Sequence, residues 1–157
     1  MVWTLKKKWF KRGLLAIGLS PLFIFLAFLL LNFLFPFHVE VEYSTIVTDD
    51  KGNIRHAFLT DDDKWRMYTE LDEISPELKT AILHKEDKYF HYHFGVNVPA
   101  IFRALWNNLT TGKRTSGAST ISMQVVRMLN PKPRTYLNKL GEMFRAIQLE
   151  WQFSKEE

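Results

Sequence analysis

The chain has 157 residues, a formal net charge of +4 and no cysteine. The length admits one modest domain, and the lack of cysteine excludes both a disulfide framework and a thiolate metal site. Charge is unevenly spread: thirteen of the seventeen Asp and Glu fall between Glu40 and Asp87, while from Lys88 to Leu149 one carboxylate, Glu142, stands against nine Lys and Arg. An acidic pair, Glu86-Asp87, at the edge of a basic and aromatic half-chain suits an anionic substrate whose reaction also needs a base.

Residues 1–13 form a basic tail containing Lys6, Lys7, Lys8, Lys11 and Arg12. Residues 14–35 are an uncharged run of 22, which as a helix spans about 33 Å and suffices to cross a bilayer. The positive flank places the tail in the cytoplasm and the rest of the chain outside, in a periplasm or at an outer face. A cleaved signal peptide fits less well. Its apolar core is usually only about 7 to 15 residues long, and Phe35-Pro36-Phe37-His38 offers no small-residue cleavage site. Pro21 falls inside the span, where neighbouring groups can satisfy the freed carbonyl or the helix can kink.

Residues 38–70 read as a small β element. Val41 to Val47 and Ile54 to Leu59 flank the turn signal Asp49-Asp50-Lys51-Gly52-Asn53, which predicts a hairpin. Asp61-Asp62-Asp63-Lys64 reads as a solvated loop before a short extended piece, Trp65 to Tyr68; no calcium-loop spacing supports a metal there. The helical part covers 71–157. Ser75-Pro76-Glu77 starts a helix with a serine cap, an early proline and an acid near the positive dipole end, and Leu78, Ile82, Leu83, Tyr89 and Phe90 supply its apolar stripe. Asn97-Val98-Pro99 opens a second helix to about Leu109, closed by Thr110-Thr111-Gly112. After a basic loop, Lys113 to Ala118, Ser119 is expected to cap a third helix that stops at Asn130-Pro131. A fourth runs from near Arg134 to about Phe153, with Leu137, Leu140, Phe144, Ile147 and Trp151 as its buried face.

Three polar constellations sit on these helices. Glu86 shares a face with Leu83 and Phe90, so partial desolvation is expected to raise its basicity; Asp87 points about 100° away. Without any site, the pair would be an acidic helix end matched to Lys85 or Lys88. His84, His91 and His93 suggest a metal less than structural hydrogen bonds, and a deaminase-like His84-x-Glu86 lacks its cysteines. Thr120, Gln124 and Arg127 make one polar stripe of the third helix, with Ile121, Val125 and Met128 expected to pack inward. A helix N-terminus preceded by Arg114, Gly117 and Ser119 suits a phosphate or pyrophosphate, although a Walker A order is absent. Lys139, Glu142 and Arg145 form either a surface ion-pair ladder or a second carboxylate between cations that positions a leaving group or its metal counterion.

Glu86-Asp87-x-x-Phe90-x-x-His93-x-Gly95, Gly117-Ala118-Ser119-Thr120-Ile121-Ser122-Met123-Gln124 and Lys139-x-x-Glu142 occur in this order. Together they resemble the first three motifs of family 51 glycosyltransferases, the peptidoglycan polymerase domain of class A penicillin-binding proteins, over about residues 38–157. The resemblance implies a mainly α fold, with a membrane helix, a small β-hairpin element and a lysozyme-like lobe. It implies an enzyme that joins lipid II units into glycan strands with inversion, releasing undecaprenyl pyrophosphate. Glu86 matches the catalytic base, and Glu142 the second glutamate, associated with the pyrophosphate or a divalent ion, Mg or Mn. Asp87, Phe90, His93, Arg114, Ser119, Thr120, Gln124, Arg127 and Lys139 match substrate-binding positions, and Phe102, Leu105 and Trp106 would face a groove that dips into membrane lipid. The implied partners are lipid II, the growing strand, membrane lipid and other cell-wall synthesis proteins.

Ala118, Met123, Arg127 and Asn138 stand where the family commonly has glycine, glutamine, lysine and arginine. Ser154-Lys155-Glu156-Glu157 resembles a point inside the family domain, so the lobe is expected to be incomplete at its C-terminus, and the alternative function is an inactive membrane protein that retains lipid II or partner binding. No Ser-x-x-Lys motif is present, and no transpeptidase chemistry is expected. A nucleic-acid role is disfavoured because the basic half lies outside the cytoplasm.

Overall fold

The computed structural model describes residues 2–113 and 117–157, residues 2–17 as backbone alone. The chain divides into two compact units, Met1–His38 and Val39–Glu157. The first is a single helix, α1 (Val2–Leu34), that continues through Pro21. The predicted membrane span at 14–35 begins among residues whose side chains are not described. Among the described residues no helix is long and apolar enough to cross a membrane.

The second unit is mainly helical with one small antiparallel sheet. Strands β1 (Ile46–Thr48) and β2 (Ile54–Ala57) pair with Val47 opposite His56 and an irregularity after Val47. The predicted hairpin therefore forms, with shorter strands than the β-rich runs suggested. Its turn is organised by Asp49, whose Oδ1 accepts from the Lys51 and Asn53 amides at 3.0 and 2.8 Å, while Gly52 supplies the left-handed residue at φ +79°. Asn53 holds the Asp49 carboxyl below its ordinary value, with help from Lys51 and Arg55.

The Asp61-Asp62-Asp63-Lys64 loop is tied by ion pairs. Arg66 grips both oxygens of Asp62, Nη1 to Oδ1 at 2.6 Å and Nη2 to Oδ2 at 2.7 Å, and Lys64 and Thr60 add contacts at 2.6 and 2.7 Å. Trp65 to Tyr68 is not a strand, but Arg66 and Ser44 exchange bonds across the loop: the Ser44 amide donates to the Arg66 carbonyl and the Arg66 amide to Ser44 Oγ, both at 2.9 Å.

Helix α2 (Pro76–Glu86) starts as predicted, with the Ser75 side chain accepting from the Leu78 amide. It ends at Asp87 and leads into a 3-10 turn, Phe90–Tyr92. Helix α3 (Val98–Thr111) is capped by Asn97 and closed by left-handed Gly112. Helix α4 (Ile121–Leu129) is capped by Thr120, one residue later than expected of Ser119, because the Thr120 hydroxyl reaches the Met123 amide. Helix α5 (Tyr136–Gln152) is capped by Thr135.

Helices α4 and α5 pack together, but not by the expected faces. On α4 the buried residues are Ser122, Met123 and Val126, whereas Met128 is 72% exposed; it lies about 200° round the helix from Val126. On α5 the buried residues are Ala146 and Gln148; of the expected face, Phe144 and Ile147 are half-buried and Leu137, Leu140 and Trp151 are exposed. Leu78, Ile82 and Tyr89 are exposed as well, as are Phe102, Leu105 and Trp106 of α3. Two apolar stripes were compatible with α4's periodicity. A close backbone contact accompanies this packing: Gly95, at φ +73°, lies so close to α5 that a Cβ there would stand 2.6 Å from the Ala146 carbonyl carbon and oxygen.

Among the described residues four apolar side chains are buried, Ala104, Met123, Val126 and Ala146, against six polar ones, Ser44, Thr60, Asp87, Thr120, Ser122 and Gln148. Hydrogen bonds therefore knit this unit at least as much as apolar burial does.

Gly95→Ala is expected to destabilise the unit by about 1–3 kcal/mol through overpacking, in addition to about 1 kcal/mol for its positive φ. Gly112→Ala, at φ +63° in open space, should cost only the latter; urea unfolding of the two variants measures the difference. Arg66, then Lys64 and Thr60, hold the Asp62 carboxyl well below the usual carboxylate range. A depressed folded-state pKa means that its contribution is complete above the unfolded value of about 3.9 and is lost only as pH falls through the folded value. The Ser44 and Arg66 amides should thus stay protected from hydrogen exchange between pH 7 and about 4, and lose protection at neutral pH in Asp62→Asn.

Candidate active site

The site is assembled where the end of α2 meets the start of α4. Asp87 closes α2 through its own amide, which donates to the Leu83 carbonyl at 2.9 Å, and its side chain turns inward. That carboxylate is buried and accepts twice. His93 Nε2 lies 3.0 and 2.9 Å from its two oxygens, and the Ile121 amide, first of α4, donates to Oδ2 at 3.1 Å. A carboxylate at a helix N-terminus is favoured by the dipole and by the unsatisfied amides there. Thr120 adds a second stitch: its hydroxyl donates to the Gly95 carbonyl at 2.6 Å and accepts from the Met123 amide at 3.2 Å.

Glu86 is the last residue of α2, whereas Asp87 has left helical geometry at φ −155° and ψ 73°, so the two side chains diverge. Glu86 is exposed, so the partial burial expected of its carboxylate is absent. Gln124 reaches it from α4, with Nε2 donating to Oε2 at 2.9 Å. The first two polar constellations therefore meet by direct contact. The third meets the second through Ser119, whose Oγ accepts from the Lys139 ammonium at 2.6 Å. Lys139 also pairs with Glu142 Oε2 at 3.3 Å. Arg145 departs from the expected ladder and donates to Gln148 at 3.0 Å. Arg127 lies half-buried on the Gln124 side of α4. Arg114 lies outside the described residues.

Two expectations change. The amides at the start of α4 are largely committed, Ile121 to Asp87 and Met123 to Thr120. Phe90 does not line the exposed carboxylate; its ring packs beside His93, with centroids 6.3 Å apart, and under the Lys155 ammonium at 4.1 Å. The contacts of Lys155, Glu150 and Ser122 lie outside the three polar constellations. Their one sequence signal is that Ser122 shares the α4 face of Met123 and Val126. Among the described residues no three His, Asp or Glu side chains converge as a metal-binding group.

Asp87→Asn should retain the shape of the junction but lose its charge, lowering stability by on the order of 3 kcal/mol. His93→Ala should cost a similar amount, and the double variant little more than either alone. A double-mutant cycle in urea measures that coupling.

The same residues can be set beside those of known proteins. The transglycosylase family model matches residues 51–157. Penicillin-binding protein 1C of Escherichia coli K12 is 37% identical over 149 residues, which are 94% of this chain and 19% of that protein. Penicillin-binding protein 1A of the same organism is 40% identical over 97 residues, 60% of this chain and 11% of the relative. Penicillin-binding protein 1F of Bacillus subtilis 168 is 31% identical over 122 residues, 70% and 17% respectively. The chain thus spans a fifth or less of the length of these relatives. The family match contains every one of the contacts between Glu86 and Gln124, Asp87 and Ile121, and Ser119 and Lys139, and the chain belongs to the transglycosylase family.

Proposed function

We propose that this chain carries the glycosyl-transfer centre of a membrane-anchored peptidoglycan glycosyltransferase, built on a lysozyme-like helical lobe. It would polymerise lipid II into glycan strands with inversion and release of undecaprenyl pyrophosphate. The observation that carries this reading is the contact between Gln124 and Glu86, which holds an exposed carboxylate in a fixed direction beside α4.

Inversion at an anomeric carbon requires a base to take the acceptor hydroxyl proton while the leaving group departs on the opposite side. Glu86 is the group that takes the proton, since Gln124 engages Oε2 and leaves Oε1 to accept it. Cations assist the departure. Lys139, oriented by Ser119 and Glu142, and Arg127 would stabilise charge as it develops on the pyrophosphate. Asp87, His93 and Thr120 serve as the frame that aims these groups. The guanidinium of Arg127, planar and forked, would contact phosphate oxygens in pairs where an ammonium makes a point contact.

A divalent ion, Mg or Mn, belongs to this reading as a companion of the pyrophosphate, since such ions are commonly bound by one or two carboxylates together with substrate phosphates. Glu142 is the carboxylate placed to meet it, although Lys139 now engages that group. The uncharged run at 14–35 is read as the anchor, with the N-terminus in the cytoplasm and the lobe in the periplasm or outside. Exposed Phe102, Leu105 and Trp106 suit contact with the lipid part of the substrate or the membrane, and other cell-wall synthesis proteins would be its partners.

Glu86→Gln is expected to lower polymerisation of lipid II by about a hundredfold or more while leaving lipid II binding intact. Polymer made equally well by both proteins would sink the assigned base. Binding without polymer in the unaltered chain would instead favour the noncatalytic alternative, a membrane protein that only retains lipid II.

A further inference from the structure

A second polar chain runs beneath the site and involves neither Glu86 nor Glu142. The Ser122 hydroxyl, on the buried face of α4, donates to Glu150 Oε1. The same oxygen takes the Lys155 ammonium at 2.5 Å. The Glu150 side chain is 7% exposed and that of Lys155 22%, so water screens this pair far less than it would a surface one.

Lys155 sits in a turn closed by two reciprocal bonds. The Ser154 amide donates to Glu157 Oε2 at 2.8 Å, and the Glu157 amide to Ser154 Oγ at 3.4 Å. From there the ammonium stands 4.1 Å from the centroid of the Phe90 ring, well inside the range of a cation–π attraction that strengthens when the cation is desolvated. Phe90 is tied in turn to the site: its amide donates to the Asp87 carbonyl at 2.9 Å, and its ring lies beside His93.

We propose that Lys155 is a positioning residue of the site. Held by Glu150 against α4, its ammonium pins the face of Phe90 and so fixes the turn from Asp87 to His93, which sets the direction in which Glu86 leaves α2. The segment is thereby clamped to α4 from two sides. Asp87 bonds the Ile121 amide on one side, and Lys155 reaches Ser122 through Glu150 on the other. Phe90 is accordingly a strut rather than a substrate contact. The consequence for catalysis rests on Glu86 being the base; the pinning of Phe90 does not.

The test uses the chain with Lys155→Met, which keeps length and apolar bulk but removes the charge, and Lys155→Arg, which keeps a cation able to cover a ring. Hydrogen exchange of the Phe90 and Tyr92 amides is the first readout. They should exchange about tenfold faster in Lys155→Met and near the original rate in Lys155→Arg, with the amides of α3 unchanged in both. Phe90→Leu should reproduce the Lys155→Met result, and combining the two should add nothing further. In lipid II polymerisation, Lys155→Met should lower kcat about ten- to a hundredfold with KM little changed. Unaltered exchange at Phe90 and Tyr92 in Lys155→Met, or an unaltered kcat, overturns the proposal. An unaltered chain that makes no polymer overturns the glycosyltransferase reading alone, and the exchange result then decides the role of Lys155.

Discussion

The second unit depends on one buried carboxylate. Asp87 ends α2, receives His93 from the turn that follows, and caps α4 from 34 residues away in sequence. Each bond to a charged group contributes about 1.5–3 kcal/mol when well made. Leaving such a group buried without partners would cost several times a typical net hydrogen bond. Two other contacts of the site presuppose this junction. Gln124 can reach Glu86, and Thr120 can reach the Gly95 carbonyl, only because the first turn of α4 is held against the end of α2.

Adjacent acids consequently have opposite fates. Asp87 is 6% exposed and fully engaged, whereas Glu86 is open to solvent with one oxygen in contact with Gln124. A frame built from the first permits an available base in the second. The buried polar set of the unit reinforces that division: Asp87 and Thr120 lie at the junction of α2 with α4, and Ser122 faces α5 through Glu150. Polar groups of defined geometry specify orientation more sharply than a few small apolar contacts do, and transfer chemistry at an anomeric carbon depends on orientation.

Much of the local structure was legible in the sequence because its causes are local. Ser75 and Asn97 cap helices α2 and α3, Gly112 closes α3, and Asp49 with Gly52 turns the hairpin, each through bonds or dihedrals within a few residues. Face selection failed for the complementary reason. Ile121, Val125 and Met128 fit a helical stripe as well as Ser122, Met123 and Val126 do, and nothing in the spacing states which one meets α5. The same holds for Leu137 and Leu140, apolar at helical intervals yet exposed. At the start of α4 two amides are taken by Asp87 and Thr120, and no rule of spacing announces a cap supplied from another helix.

By itself, the order and chemistry of Glu86-Asp87, Thr120-Gln124 and Lys139-Glu142 determined the family and marked candidate site residues, because motif order and residue identity are carried by the chain alone. Tertiary structure alone decided their division of labour. It sent Asp87 inward and Glu86 outward, joined Glu86 to Gln124 and Lys139 to Ser119, and recruited Glu150 and Lys155 behind Phe90. The physical reason is that burial and pairing are properties of distance in space. A carboxylate's partners, and hence its role, are set by which backbones approach it once Gly95 has let α5 come close.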